Sequence, residues 1–154
     1  MRVGDVAADF ELPDHNGRVV RLSEELSGGP VVLFFYPRAF TRGCTEESCH
    51  FRDLYIEIKK AGATCLGISA DPVERQARFA EKHLFQFPLL SDVNRTVAKA
   101  FGVKRPGPLF NRRSTFVIAR DRTILGIIHD EVHMGNHADQ ALQILSSDEH
   151  LQSG

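Results

Sequence analysis

No stretch of the 154-residue chain is apolar for long. The longest such run, Pro30 to Pro37, falls far short of the ~18 residues that a membrane span needs. The opening residues, Met1 to Val6, carry an acid at position 5 and no hydrophobic core of a secretory signal, so a cytoplasmic protein without membrane partners is expected. Neither sign of charge is in excess. With 19 basic and 20 acidic side chains the net charge is −1, which gives no general attraction to phosphate backbones and argues against nucleic acid as a partner. Internal repeats, linkers and low-complexity segments are also missing. A single domain over 1–154 is therefore expected, long enough to bury roughly 70% of its unfolded surface without a staple.

Cysteine is scarce, and its 3 copies contain no Cys-x-x-Cys pair. An odd, sparse set is a poor disulfide framework, and in a reducing compartment it points to catalysis, redox sensing or metal binding. Metal is disfavoured. Cys44 and Cys49-His50 lack a paired second cluster, and Gly135 and Asn136 interrupt any helix that would align His129, His133 and His137. These histidines read as solvated, and no metal or cofactor is expected.

What is present is concentrated between Pro37 and Cys49. There a cysteine, Cys44, falls in the first turn of an expected helix directly after an apolar strand, Val31 to Tyr36. The unsatisfied N–H groups of a helix N-terminus favour negative charge, so a sulfur placed there is favoured as thiolate, the reactive form. Cys44 is the expected nucleophile. Cys49, five residues on, is placed to capture whatever Cys44 becomes, whereas Cys65 sits in an apolar strand and reads as core packing.

The rest of the chain alternates strand and helix. Asp9 to Leu12 and Arg18 to Leu22 flank the turn Asp14-His15-Asn16-Gly17 and predict an opening hairpin, followed by a short helical turn from Ser23 that Gly28-Gly29 ends. After the Cys44 motif, a helix is predicted from about Gly43 to Ala61, with Gly62 as its stop. Its stripe of Phe51, Leu54, Tyr55 and Ile58 carries Cys44 on the same face. Cys49 lies roughly 140° round the helix from Cys44 and is expected to face outward. Ala63 to Ser69 is a buried strand; Asp71-Pro72-Val73-Glu74 has the form of a capping box opening a helix to about His83. A strand at Phe87 to Leu90, a helix from Thr96 to Phe101 and a proline-bearing loop from Lys104 to Pro108 follow. A second hairpin, Ser114 to Ile118 and Thr123 to Ile128, leads to a last helix, about His137 to Ser146, capped by Asn136. The tail from Ser147 to Gly154 is expected to fray. The pattern predicts an α/β domain in three layers, its parallel core extended by antiparallel hairpins.

Pro37-x-x-x-Thr41-x-x-Cys44 is similar to the active-site signature of the peroxiredoxins. Cys44-Thr45-x-Glu47-x-Cys49 followed by Phe51-Arg52-Asp53 resembles their bacterioferritin comigratory protein (peroxiredoxin Q) subfamily, as do Gly67 to Asp71, Phe79 to His83, Phe87 to Asp92 and Arg113-x-Thr115-Phe116. The resemblance spans nearly the whole chain. It implies a thioredoxin fold, with a central mixed sheet flanked by helices and an N-terminal β-hairpin. It also implies a thiol peroxidase acting on hydrogen peroxide and organic hydroperoxides, with thioredoxin or a similar thiol as reductant, as a monomer or weak homodimer.

By the same resemblance, Cys44 is peroxidatic and Cys49 resolving, through a Cys44–Cys49 disulfide within one chain. Thr41 is expected to hydrogen-bond the sulfur and the peroxide, Pro37 to close the pocket, and Arg113 to place positive charge beside the sulfur and the leaving oxygen. Glu47 is expected to orient that arginine. The chain departs from the subfamily at Arg42, where proline is common and where the new side chain is expected to add a cation near Cys44, and in the compact loop from Lys104 to Arg112. Two other classes fit a lone reactive thiol pair: a peroxide sensor that relays its disulfide to a partner, and a general dithiol-disulfide oxidoreductase. Helix geometry adds a constraint of its own. Residues five apart in an α-helix have Cα atoms roughly 8 to 9 Å apart, and a disulfide tolerates at most about 7 Å, so joining Cys44 to Cys49 requires the helix to unwind.

Overall fold

The structure is a computed structural model that describes residues 1–107, 110–131 and 133–147. Of the loop from Lys104 to Arg112, residues 108 and 109 lie outside the described residues, as does the tail from 148 onward. The chain opens on an antiparallel hairpin, β1 (Glu11–Pro13) and β2 (Val19–Arg21), joined through a turn in which Asp14 Oδ1 accepts from the backbone N–H groups of Asn16 and Arg18. Helix α1 (Leu22–Ser27) follows and leads into β3 (Val31–Phe35), every residue of which is buried.

β3 is the centre of a five-stranded sheet in the order β5-β4-β3-β6-β7. On one side it pairs in parallel with β4 (Thr64–Ser69), which pairs in parallel with β5 (Leu89–Ser91). On the other side it pairs antiparallel with β6 (Ser114–Ile118), and β6 with β7 (Ile124–His129). The all-apolar sequence of β3 follows from this position, since alternate side chains enter two separate cores. Val32, Phe34 and Tyr36 join Phe51, Ile58, Phe79 and Ala141 on one face; Val31, Leu33 and Phe35 join Leu22, Leu26, Phe101 and Phe116 on the other. The first face is covered by α2 (Arg42–Asp53), α3 (Tyr55–Lys60), α4 (Val73–His83) and α6 (Asn136–Ser147); α1, α5 (Thr96–Ala100) and the hairpin cover the second. Gly67 in β4 is required by close packing, because a Cβ there would stand 2.8 Å from the Phe34 ring and from Leu89.

Four local expectations change. The helix predicted over Gly43 to Ala61 is two helices, α2 and α3, meeting at Leu54, whose φ of −95° and ψ of 4° leave the α region. No glycine or proline marks this joint. It accompanies tertiary packing that buries both Phe51 and Ile58 completely, a constraint the local sequence does not carry. The capping box at Asp71 does not form: Pro72 holds the N-cap position, and the Asp71 carboxylate turns to the loop after β3. Asn136 is the first residue of α6 instead of its cap, and its amide donates to Asp130 Oδ2 at 2.9 Å. Finally, β5 begins at Leu89 and not at Phe87, since Pro88 has no N–H to give the ladder.

Candidate active site

The antiparallel pairing of β3 with β6 sets Phe35 opposite Ser114. The residues that leave β3 and those that enter β6 therefore lie side by side, which brings the Pro37 to Thr41 loop and the start of α2 against Arg113. Cys44, in the first turn of α2, is completely buried. Its Sγ accepts two N–H groups, from the Arg38 backbone at 3.5 Å and from Arg113 Nη2 at 3.4 Å. Both donors, with the helix N-terminus, stabilise negative charge on the sulfur. Gly43 makes room for the guanidinium: a Cβ at that position would stand 3.1 Å from Arg113 Nη2 and 3.5 Å from Met134 Sδ.

Arg113, only 6% exposed, also donates through Nη1 to Glu47 Oε1 at 3.1 Å, one turn further along α2. Glu47 therefore meets the arginine directly. Burial pushes its carboxyl up to about 8, against the opposing pull of the Arg113 charge. Glu47 Oε2 makes no hydrogen bond of good geometry and stands 3.4 Å from Nε2 of His137, which is itself fully buried. His137 Nε2 lies 2.7 Å from the Asp130 carbonyl and Nδ1 lies 2.8 Å from Thr115 Oγ1. Since a carbonyl only accepts, Nε2 carries a hydrogen. Burial holds this imidazole below its ordinary value.

His137 corrects the expectation of three solvated histidines. His129 and His133 are exposed, but His137 enters the site on the first turn of α6. Asp71 and Arg75 are two further residues that the sequence did not flag. Asp71 Oδ2 accepts from the Ala39 N–H at 2.8 Å and from Ser69 Oγ at 2.6 Å, while Arg75 pairs with Asp71 and donates to the Ala39 carbonyl at 2.8 Å. Together they fix both backbone groups of Ala39 in the loop that carries Arg38. An acid two residues beyond a buried strand was the available signal, and the capping-box pattern misdirected it.

Other expected site residues are placed as follows. Pro37 is half-buried directly after the β3 run. Thr41 occupies the N-cap position of α2 but is exposed, and its hydroxyl donates to the Arg38 carbonyl at 2.8 Å instead of to the sulfur. Arg42 adds no cation beside the sulfur; its side chain is 92% exposed and pairs with Glu46 at 3.2 Å. Cys49 faces solvent only in part. It is half-buried against α4, with Sγ 3.7 Å from His83 Nδ1, because α4 packs over the flank of α2 that the isolated helix would present to water. That burial pushes the Cys49 thiol up. Cys65 is fully buried within β4, and burial pushes its thiol well above the usual range. Among the described residues, no helix is long and apolar enough to cross a membrane.

A buried thiol at a helix N-terminus, touched by an arginine and set on a mixed sheet, defines a class of redox enzyme. The chain belongs to the AhpC/TSA family, whose model matches residues 3–127. Within that family it is similar to a putative peroxiredoxin of Mycobacterium tuberculosis, with 56% identity over 94% of this chain and 96% of that one. It is 40% identical to the peroxiredoxin Bcp of Escherichia coli, over 94% of this chain and 96% of the relative. Among solved structures, peroxidoxin BcpB of Mycobacterium tuberculosis superposes with a TM-score of 0.93 at 54% identity, covering 96% of this chain and 97% of the other. A bacterioferritin comigratory protein of Xanthomonas campestris, studied for alkyl peroxide reduction, superposes with a TM-score of 0.84 at 32% identity over 92% of each chain. The activity that comes with this membership is thiol-dependent peroxide reduction, on a thioredoxin fold.

Proposed function

We propose that Cys44 is the peroxidatic residue and Cys49 the resolving one, in a cytoplasmic, single-domain peroxidase acting on hydrogen peroxide and organic hydroperoxides as a monomer or weak homodimer. The observation that carries the reading is the pair of N–H donors on a buried Sγ at the start of α2. A sulfur lone pair attacks the terminal oxygen of the hydroperoxide, the O–O bond breaks, and Cys44 becomes a sulfenic acid. Arg113, already on the sulfur, stabilises the charge that builds on the leaving oxygen, and Glu47 holds the guanidinium through Nη1. Pro37 narrows the approach to the sulfur, and Thr41 presents its hydroxyl to the peroxide after leaving the Arg38 carbonyl. Cys49 then attacks the sulfenic sulfur, its thiol proton leaving with the displaced hydroxide as water, and the resulting Cys44–Cys49 disulfide is reduced by thioredoxin or a similar dithiol.

Peroxide consumption coupled to thioredoxin and its reductase tests this directly. The wild type is expected to turn over and Cys44→Ser to lose turnover altogether, while Cys49→Ser keeps the first oxidation and loses thioredoxin-linked recycling. A non-reducing peptide map after one equivalent of peroxide is expected to join residues 44 and 49. Turnover that survives Cys44→Ser would sink the assignment, and a bond between two chains would replace the intramolecular route.

A further inference from the structure

The four groups Cys44, Arg113, Glu47 and His137 form one continuous buried chain, with contacts of 3.4, 3.1 and 3.4 Å from sulfur to imidazole. A thiolate and a guanidinium cancel. An ionised Glu47 beside a neutral His137 would leave the cluster with an uncompensated negative charge, which burial strongly disfavours. Resting on the reading of Cys44 as peroxidatic, we propose that Glu47 and His137 jointly hold one extra proton while Cys44 is a thiolate, and release it as the sulfur is oxidised.

The charges balance at each stage. Before reaction the cluster contains a thiolate, a guanidinium and a pair carrying one proton, and is neutral. Oxidation turns the thiolate into a neutral sulfenic acid, and the O–O bond breaks with its electron pair on the leaving oxygen. The pair gives up its proton as the leaving oxygen gains one, so ROH departs. Glu47, now ionised, neutralises Arg113, and the cluster is neutral again. The two nitrogens of one guanidinium touch the sulfur and the carboxylate, so each change is felt at the other end.

The unsatisfied Oε2 of Glu47 supports this independently of its titration, since a fully buried carboxylate oxygen without a donor is a poor place for permanent charge. Neither Asp130 nor Glu131, which lie beyond β7, supplies positive charge to the pair, and Glu131 instead accepts from the Arg113 backbone N–H at 3.0 Å. Asp139 of α6 is occupied with His50 of α2 at 2.9 Å. Arg113 is thus the cation that the pair faces, and Thr115 Oγ1 the hydroxyl behind the imidazole. His137 is a positioning residue in this scheme, acting on the sulfur through Glu47 and Arg113.

The test counts protons. Stopped-flow mixing with one equivalent of hydrogen peroxide in weak buffer with a pH-indicator dye reads proton uptake during the fast oxidation phase, while thiolate ultraviolet absorbance and sulfenic-acid trapping read the state of Cys44. At about pH 7, wild type is expected to take up one proton fewer per sulfenic acid formed than Glu47→Gln, whose amide oxygen still accepts from Arg113 Nη1. Burial pushes the Glu47 carboxyl up to about 8, so wild-type uptake is expected to rise by about one proton between about pH 7 and about pH 9.5. His137→Gln is expected to move the midpoint of that rise without abolishing it. The wild-type profile decides the matter even if a variant folds poorly. Uptake that does not rise with pH in wild type, or equal counts in wild type and a folded Glu47→Gln, would overturn the proposal. Absence of any trapped sulfenic acid on Cys44 would instead remove the peroxidatic assignment beneath it.

Discussion

At the level of single residues, the site depends as much on a missing side chain as on the reactive ones. Gly43 sits in an ordinary helical conformation, so its value lies in the space it leaves for Arg113. In Gly43→Ala the gain in helix propensity, below ~1 kcal/mol in a first turn, is set against a Cβ 3.1 Å from Arg113 Nη2. The same methyl pushes the guanidinium away from Cys44, and the rate constant for oxidation by peroxide should fall roughly ten- to a hundredfold. Stopped-flow oxidation of the folded variant checks this; a rate that holds would show that Arg113 yields without losing the sulfur. Cys44, Arg113 and Glu47 were legible in the sequence because a short motif and the entry to a strand mark them. His137 was not. Its role depends on α6 packing its first turn onto α2, ninety residues away in the chain, and the adjoining Gly135-Asn136 pointed toward an exposed turn.

Among the elements, α2 has the most to do. It carries Cys44 and Cys49 within one continuous stretch of helix, and their Cα atoms, roughly 8 to 9 Å apart, are beyond disulfide reach. The joint at Leu54 gives the required unwinding a natural end. Amide exchange in the disulfide form should therefore accelerate over the early turns of α2 while Tyr55–Lys60 keeps its protection. Equal exchange in reduced and oxidised protein, or loss of protection through both helices, would contradict this. The periodic stripe from Phe51 to Ile58 made one long helix the natural expectation, since a break that accompanies tertiary burial leaves no local mark. The same limit hid the flank of α2 under α4, so that Cys49, read from one helix alone, was placed in water.

Over the whole molecule, the central strand is a junction between two cores, and its side chains tie the redox helix to the sheet. Phe34 of β3 stacks on Phe51 of α2 with centroids 4.2 Å apart and planes at 11°. Phe51→Ala should destabilise the protein by about 3–5 kcal/mol, measured from the urea midpoint at constant m-value; a loss below ~1 kcal/mol would mean that α2 is held elsewhere. The strand and helix order, the mixed sheet and the opening hairpin could be read from apolar runs and turn residues. Pairing partners could not, because nothing within β3 says that its neighbours are β4 and β6. Phe51 lies two residues beyond Cys49 and stays docked if only the first turns of α2 open. The folding free energy of those turns is then set directly against the strength of the disulfide, and so enters its reduction potential. Each ~1.4 kcal/mol by which the reduced helix is stabilised makes the disulfide more oxidising by about 30 mV.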